Sequence, residues 1–258
     1  MLEAWTSLVF LAAEFPTYTF GNLVLSQSYR NPALLAKMVA TLDYLTRGRV
    51  ILGIGAGWQA DEYAAYDFPF PSAGTRVEQL SEAIDVLRAM WTQSPADYEG
   101  TYYRVRGAYC VPQPGRPIPI LLGGRKPKFM RVVAEKADIW QWDGPIDAYR
   151  VPYDLLVANC AEIGRDISSI TLSTFGEVYL TDETHLFPGE PAPMAISSAQ
   201  DPAGAYADVA DWVLGPTPAH AIEQLRPMVD LGVSQFTLGF WDRRSVRRFI
   251  DEVLPAFV

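Results

Sequence analysis

Apolar strand-like runs alternate with amphipathic helical stretches along nearly the whole chain, and this alternation constrains the fold more than any other feature. Strict β-then-α order argues for a parallel sheet with crossover helices. The clearest run is Val50-Ile-Leu-Gly-Ile-Gly55, apolar throughout, as a strand covered on both faces requires. Strands are also expected at residues 18–25, 118–122, 139–142, 170–175 (extending to Leu180) and 235–240. Helices are expected at residues 2–14, ending at Pro16, and from Pro32 to Gly48, where Asn31 caps and Leu34, Leu35, Met38, Leu42 and Leu45 share a face. A further helix should begin at a Thr75/Glu78 capping box and bury Val77, Leu80, Ile84, Leu87 and Trp91. Others are expected at 127–137, 148–163, 218–231 and from about Ser245. Residues 95–117 form an excursion with short strands at 102–105 and 109–111, and the Pro/Ala/Gly/Asp-rich stretch at about 182–211 is an insertion. The fold class expected is α/β, a TIM (β/α)8-type barrel that is incomplete, with about six core parallel strands. It forms a single domain over 1–258, since no internal boundary interrupts the alternation.

The site in such a fold lies beyond the carboxyl ends of the strands. Three strand ends carry small or polar residues: Ser26 to Asn31, Gly55 to Trp58, and Gly123 to Lys126. Gly123-Gly-Arg-Lys126 leads straight into a helix opened by Pro127. Glycines allow close backbone approach, and a helix N-terminus presents free N–H groups with a positive dipole. The turn is therefore either a phosphate cradle or an ordinary βα turn with exposed cations. Gly53-Ile-Gly-Ala-Gly57 fails as a dinucleotide fingerprint, because its third glycine comes one residue early and Asp61 to Pro71 reads as loop. It suits a tight loop that leaves room for a flat ligand, with Trp58 either beside it or packed in the core.

Composition excludes several classes. A net charge of −9 over 258 residues opposes nucleic-acid binding, and the Arg243, Arg244, Arg247 and Arg248 group has the spacing of a solvated helix face. Cys110 and Cys160 make no disulfide framework, and the apolar run from Leu8 to Ala13 is too short to span a bilayer. With no basic signal region at Met1-Leu2-Glu3, a cytoplasmic protein is expected. His185 and His220 are far apart, and no cluster has metal-ligand spacing, so no metal is expected. So few proton-transfer groups point to a cofactor that carries the chemistry.

Taken in order, Ser28-Tyr-Arg-Asn-Pro-Ala-Leu-Leu-Ala-Lys-Met38, Arg49-Val-Ile-Leu-Gly-Ile-Gly-Ala-Gly-Trp58, Pro119-Ile-Leu-Leu-Gly-Gly124 and Gly215-Pro-Thr-Pro218 through Gly232-Val233 resemble the bacterial luciferase-like family. Within it, the chain is most similar to the coenzyme F-420-dependent oxidoreductases. The resemblance implies a TIM barrel, frequently dimeric, that binds coenzyme F-420 or FMN. It places Leu25, Ser26, Gly55, Ala56 and Gly57 beside the ring, with a non-proline cis peptide near Leu25, and Gly123, Gly124, Arg125 and Lys126 at the phosphate. It further implies an N-terminal β-α-β unit that has no counterpart in this sequence, so no catalytic acid or base is assigned. The implied activity is hydride transfer between coenzyme F-420 and a small organic substrate. FMN-dependent monooxygenation is one alternative; a non-catalytic barrel that binds a cofactor or partner is another.

Overall fold

The computed structural model describes residues 2–180, 212–240 and 242–258. They group into two compact units, Met1–Trp140 with Asn159–Ser169, and Gln141–Ala158 with Ile170–Val258. The expected insertion at 182–211, with His185, lies outside the described residues.

The first unit is built on parallel strands. β3 (Val50–Gly55) is flanked on one side by β6 (Ile120–Gly123) and on the other by β1 (Phe20–Gly21) and β2 (Leu25–Ser26). The single strand expected at 18–25 is thus two short pieces along one edge of β3. Where the strand breaks, the carbonyl oxygen of Asn22 lies 1.7 Å from where a Cβ on Gly53 would stand, so position 53 requires glycine. The peptide bond Leu23–Val24 in this break is cis, as the resemblance implied.

Helices α1 (Ala4–Glu14), α2 (Pro32–Thr46), α4 (Ala73–Thr92) and α5 (Pro127–Lys136) belong to this unit. Asn31 caps α2 and Pro32 opens it, as expected. The buried face of α2 differs from expectation: Leu35, Ala36, Val39, Ala40 and Leu42 are buried, while Leu34 and Leu45 are exposed. Small Ala36 and Ala40 allow close approach of α4, and Trp91 Nε1 of α4 donates to the Ala36 carbonyl at 3.0 Å. The left-handed stop begins at Arg47 (φ 58) and continues through Gly48 (φ 87).

The capping box at Thr75/Glu78 is not used. Ser72 caps α4 by accepting from the Thr75 N–H at 3.2 Å, and Glu78 turns instead to Lys128 and Tyr102. The segment expected as loop after Trp58 contains a short helix, α3 (Ala60–Ala65). The excursion is an antiparallel hairpin of β4 (Ala96–Glu99) and β5 (Arg104–Ala108), offset from the expected strands. Its turn is fixed by Glu82, whose carboxylate accepts the backbone N–H groups of Thr101, Tyr102 and Tyr103 at 2.8, 2.8 and 3.2 Å. Arg49 ties the end of α1 to β3 by donating to the carbonyls of Phe15, Tyr18 and Ala12.

In the second unit, β8 (Thr171–Val178) pairs in parallel with β10 (Val233–Phe240) and, at Glu177 and Val178, with β9 (Val213–Leu214). Helix α7 (Pro218–Leu231) runs from a Thr217 cap to Gly232 (φ 102), within the expected bounds. A last helix, α8 (Arg243–Arg248), is capped by Asp242. Elsewhere the chain forms α6 (Ile146–Glu162) and β7 (Ile139–Asp143). Among the described residues no helix is long and apolar enough to cross a membrane.

Candidate functional site

Parallel registration brings the three expected strand ends of the first unit side by side. Ser26 pairs with Gly55, Ile54 pairs with Leu122, and Gly123 follows. Neighbouring strands are about 4.8 Å apart, so this row spans roughly 10 Å. Leu25 is buried, whereas Ser26, Ala56 and Gly57 are half-buried and Gly55 closes the β3 core. Leu23 and Val24, just before β2, are exposed apolar residues at the same edge.

At one end of the row, the Gly123–Lys126 turn enters α5. Lys126 occupies the N-cap position with no side-chain hydrogen bond to the first turn, and Pro127 follows at the first helical position. The N–H groups of that turn are therefore not consumed by a capping side chain. The ring of Phe129 lies 2.9 Å from where a Cβ on Gly124 would stand, so only glycine fits. The Gly124 carbonyl accepts from Trp140 Nε1 at 2.9 Å, fixing the peptide that precedes Arg125. Lys126 is exposed, and Lys128 is committed to Glu78. A cradle of open N–H groups beside cationic side chains matches the chemistry of a phosphate.

At the other end, the glycines owe their presence to the protein itself. A Cβ on Gly57 (φ +78) would stand 1.9 Å from Tyr63 Oη and 2.8 Å from Ser26 Oγ, and one on Gly55 would meet Val24 at 3.0 Å. Tyr63 is buried, and its ring packs on Tyr29 and Phe70 at centroid distances of 4.9 and 4.7 Å. Its hydroxyl is 2.5 Å from Ser26 Oγ. Arg76, also buried, donates from Nε to the Gly57 carbonyl at 3.2 Å and from Nη1 to the Pro71 carbonyl, with its guanidinium 3.8 Å from the Phe70 ring centroid. Gln27 is held between Ser28 Oγ at 2.7 Å and the Tyr103 hydroxyl, which donates to it at 2.7 Å from the hairpin turn. Trp58 is 43% exposed, which removes the core-packing alternative for it.

Sequence reasoning missed Tyr63 and Arg76, and took in Gln27 only as part of the Ser26 to Asn31 strand end. Tyr63 falls in the segment read as loop, and Arg76 looks like an ordinary helix-surface residue; nothing in their local pattern marks them. It also missed Asp143, at the carboxyl end of β7 in the second unit. Burial pushes its carboxyl up to about 6, against a lowering hydrogen bond from Gln141 Nε2. Cys110 is buried, the small core residue expected, and among the described residues no acid, His and Cys group could hold a metal ion.

Comparison with known proteins bears on the family and the fold. The model of the luciferase-like monooxygenase family matches residues 2–185. An F420-dependent glucose-6-phosphate dehydrogenase of Nocardia farcinica is 31% identical over 277 residues, covering 96% of this chain and 80% of the relative. Among solved structures, the coenzyme F420-dependent tetrahydromethanopterin reductase of Methanopyrus kandleri superposes with a TM-score of 0.81 at 18% identity, over 100% of this chain and 88% of that one. EDTA monooxygenase of Chelativorans superposes with a TM-score of 0.77 at 16% identity, over 99% and 77%. These likenesses bear out the α/β fold of incomplete TIM-barrel type.

Proposed function

Because the chain belongs to the luciferase-like monooxygenase family and is an enzyme of that oxidoreductase class, we propose that it passes a hydride between coenzyme F-420 and a small organic substrate. The observation that carries this is the row of strand ends with an open anion cradle at one side and a hydroxyl-bearing edge at the other. That row suits a flat ring joined to a phosphate. Leu25, Ser26, Gly55, Ala56 and Gly57 would hold the ring, and Gly123, Gly124, Arg125 and Lys126 the phosphate. Several relatives with F420-dependent names support the deazaflavin over FMN.

When bound, the cofactor supplies a ring carbon that accepts or releases two electrons as hydride. The chain's own contribution is positional. The α5 N–H groups and Lys126 fix the charged end, and exposed Leu23 and Val24 offer an apolar surface that excludes water at the ring. Arg76 holds the Gly57 carbonyl so that the loop after β3 keeps its shape without a ligand. A small-molecule substrate, a cytoplasmic location and a homodimer accompany this proposal. FMN-dependent monooxygenation is the second reading, favoured by the likeness to EDTA monooxygenase.

The test is titration of the protein with coenzyme F-420 and separately with FMN, followed by quenching of its seven tryptophans, then repeated with Gly124→Asp. Binding of F-420 weakened at least about tenfold by the substitution supports the proposal, since a carboxylate would face the anion and its Cβ would strike Phe129. Preference for FMN moves the protein to the second reading. A folded sample that binds neither refutes both.

A further inference from the structure

The hydroxyl pair of Ser26 and Tyr63 has a polarity that can be worked out from hydrogen-bond accounting. Two hydroxyls 2.5 Å apart share one bond, and either could donate. Tyr63 is 1% exposed, and among the described residues its hydroxyl has no other hydrogen-bond partner. If Ser26 donated, the phenolic proton would be left buried with no acceptor, and the desolvation of that donor would go uncompensated. Tyr63 therefore donates to Ser26 Oγ. That oxygen also accepts the Ser28 N–H at 3.3 Å, so both its lone pairs face the protein. The serine's own proton is then directed away from these partners. Ser26 is half-buried and stands at the strand end beside Gly55, in the row described above.

We propose that Ser26 donates a hydrogen bond to a carbonyl oxygen on the bound deazaflavin or flavin ring, and that Tyr63 is the positioning residue that sets this polarity. The inference rests on the cofactor reading above and adds to it the direction of one bond and the residue behind it. It also accounts for Gly57. Any side chain there would displace the Tyr63 hydroxyl and release the serine proton from its orientation. The three bulky neighbours Tyr29, Phe68 and Phe70 pack on the Tyr63 ring at 4.9, 6.5 and 4.7 Å, so the phenol cannot swing aside. A donor on a ring carbonyl favours whichever redox state carries more negative charge on that oxygen, so the bond bears on potential as well as affinity.

The experiment compares the wild type with Ser26→Ala, Tyr63→Phe and the double variant. Coenzyme F-420 is titrated into each, then FMN, and the absorption spectrum of the bound cofactor is recorded. Ser26→Ala is expected to weaken binding about tenfold and to shift the spectrum. Tyr63→Phe is expected to weaken it by about threefold to tenfold with a shift in the same direction. The double variant should be no worse than Ser26→Ala alone, because Tyr63 acts only through Ser26. Ser26→Thr keeps the hydroxyl and should restore both affinity and spectrum. If Tyr63→Phe loses thermal stability, the Ser26→Ala and Ser26→Thr pair alone decides the donor. Wild-type affinity and an unshifted spectrum in Ser26→Ala or Tyr63→Phe would overturn the inference while leaving the cofactor reading intact. Failure of the wild type to bind either cofactor would overturn both.

Discussion

Replacing Asp143 by asparagine should stabilise the protein, and the gain should depend on pH. The carboxyl is held at about 6 by burial, against an ordinary value of 3.8. Between those values the folded state binds more proton than the unfolded state. Stability therefore falls as pH rises through that window and is flat above it. At about 1.36 kcal/mol per pH unit, the span from 3.8 to about 6 corresponds to about 3 kcal/mol. This is an upper figure, because water penetration relaxes such penalties. Asparagine cannot ionise, keeps the shape, and still accepts from Gln141 Nε2 through its carbonyl. The difference in unfolding free energy, variant minus wild type, should be near zero around pH 3 and rise to between about 1 and 3 kcal/mol by pH 7. Urea denaturation of both proteins at half-unit pH steps measures it, and taking the difference cancels the other carboxylates. A difference that stays flat with pH, or a variant less stable at pH 7, would refute the burial argument for this group.

Gly57→Ala should cost about 2–4 kcal/mol, combining the left-handed backbone with the approach to Tyr63, and should weaken cofactor binding in the same titration. Glu82→Gln should cost about 1–3 kcal/mol, because an amide presents one acceptor to the three N–H groups of the hairpin turn; hydrogen exchange at Thr101 to Tyr103 should rise with it. Unchanged exchange there would mean the turn holds without its acid. Arg76→Lys keeps the charge but cannot reach both the Gly57 and Pro71 carbonyls while lying flat on Phe70; a loss of about 1–2 kcal/mol in thermal or urea unfolding is expected.

The order of elements was legible because strand and helix periodicities are local. The apolar run at 50–55, the Asn31-Pro32 start of α2 and the Thr217-to-Gly232 limits of α7 all stand where their residues imply. The glycine-rich strand ends were legible for the same reason, and registration sets Ser26, Gly55 and Gly123 in one row. What tertiary structure alone decided was which neighbour each of these residues meets. The buried face of α2 was misjudged because close approach at Ala36 and Ala40 outweighed the larger leucines. Glu78 left its expected cap for a lysine fifty residues away. From sequence the glycine at 57 read as room for a flat ligand, yet the space its missing side chain leaves is filled by Tyr63, on a short helix that no local pattern announces. Periodicity is written in neighbouring residues; a hydroxyl's partner and a carboxyl's burial depend on segments brought together only when the chain folds.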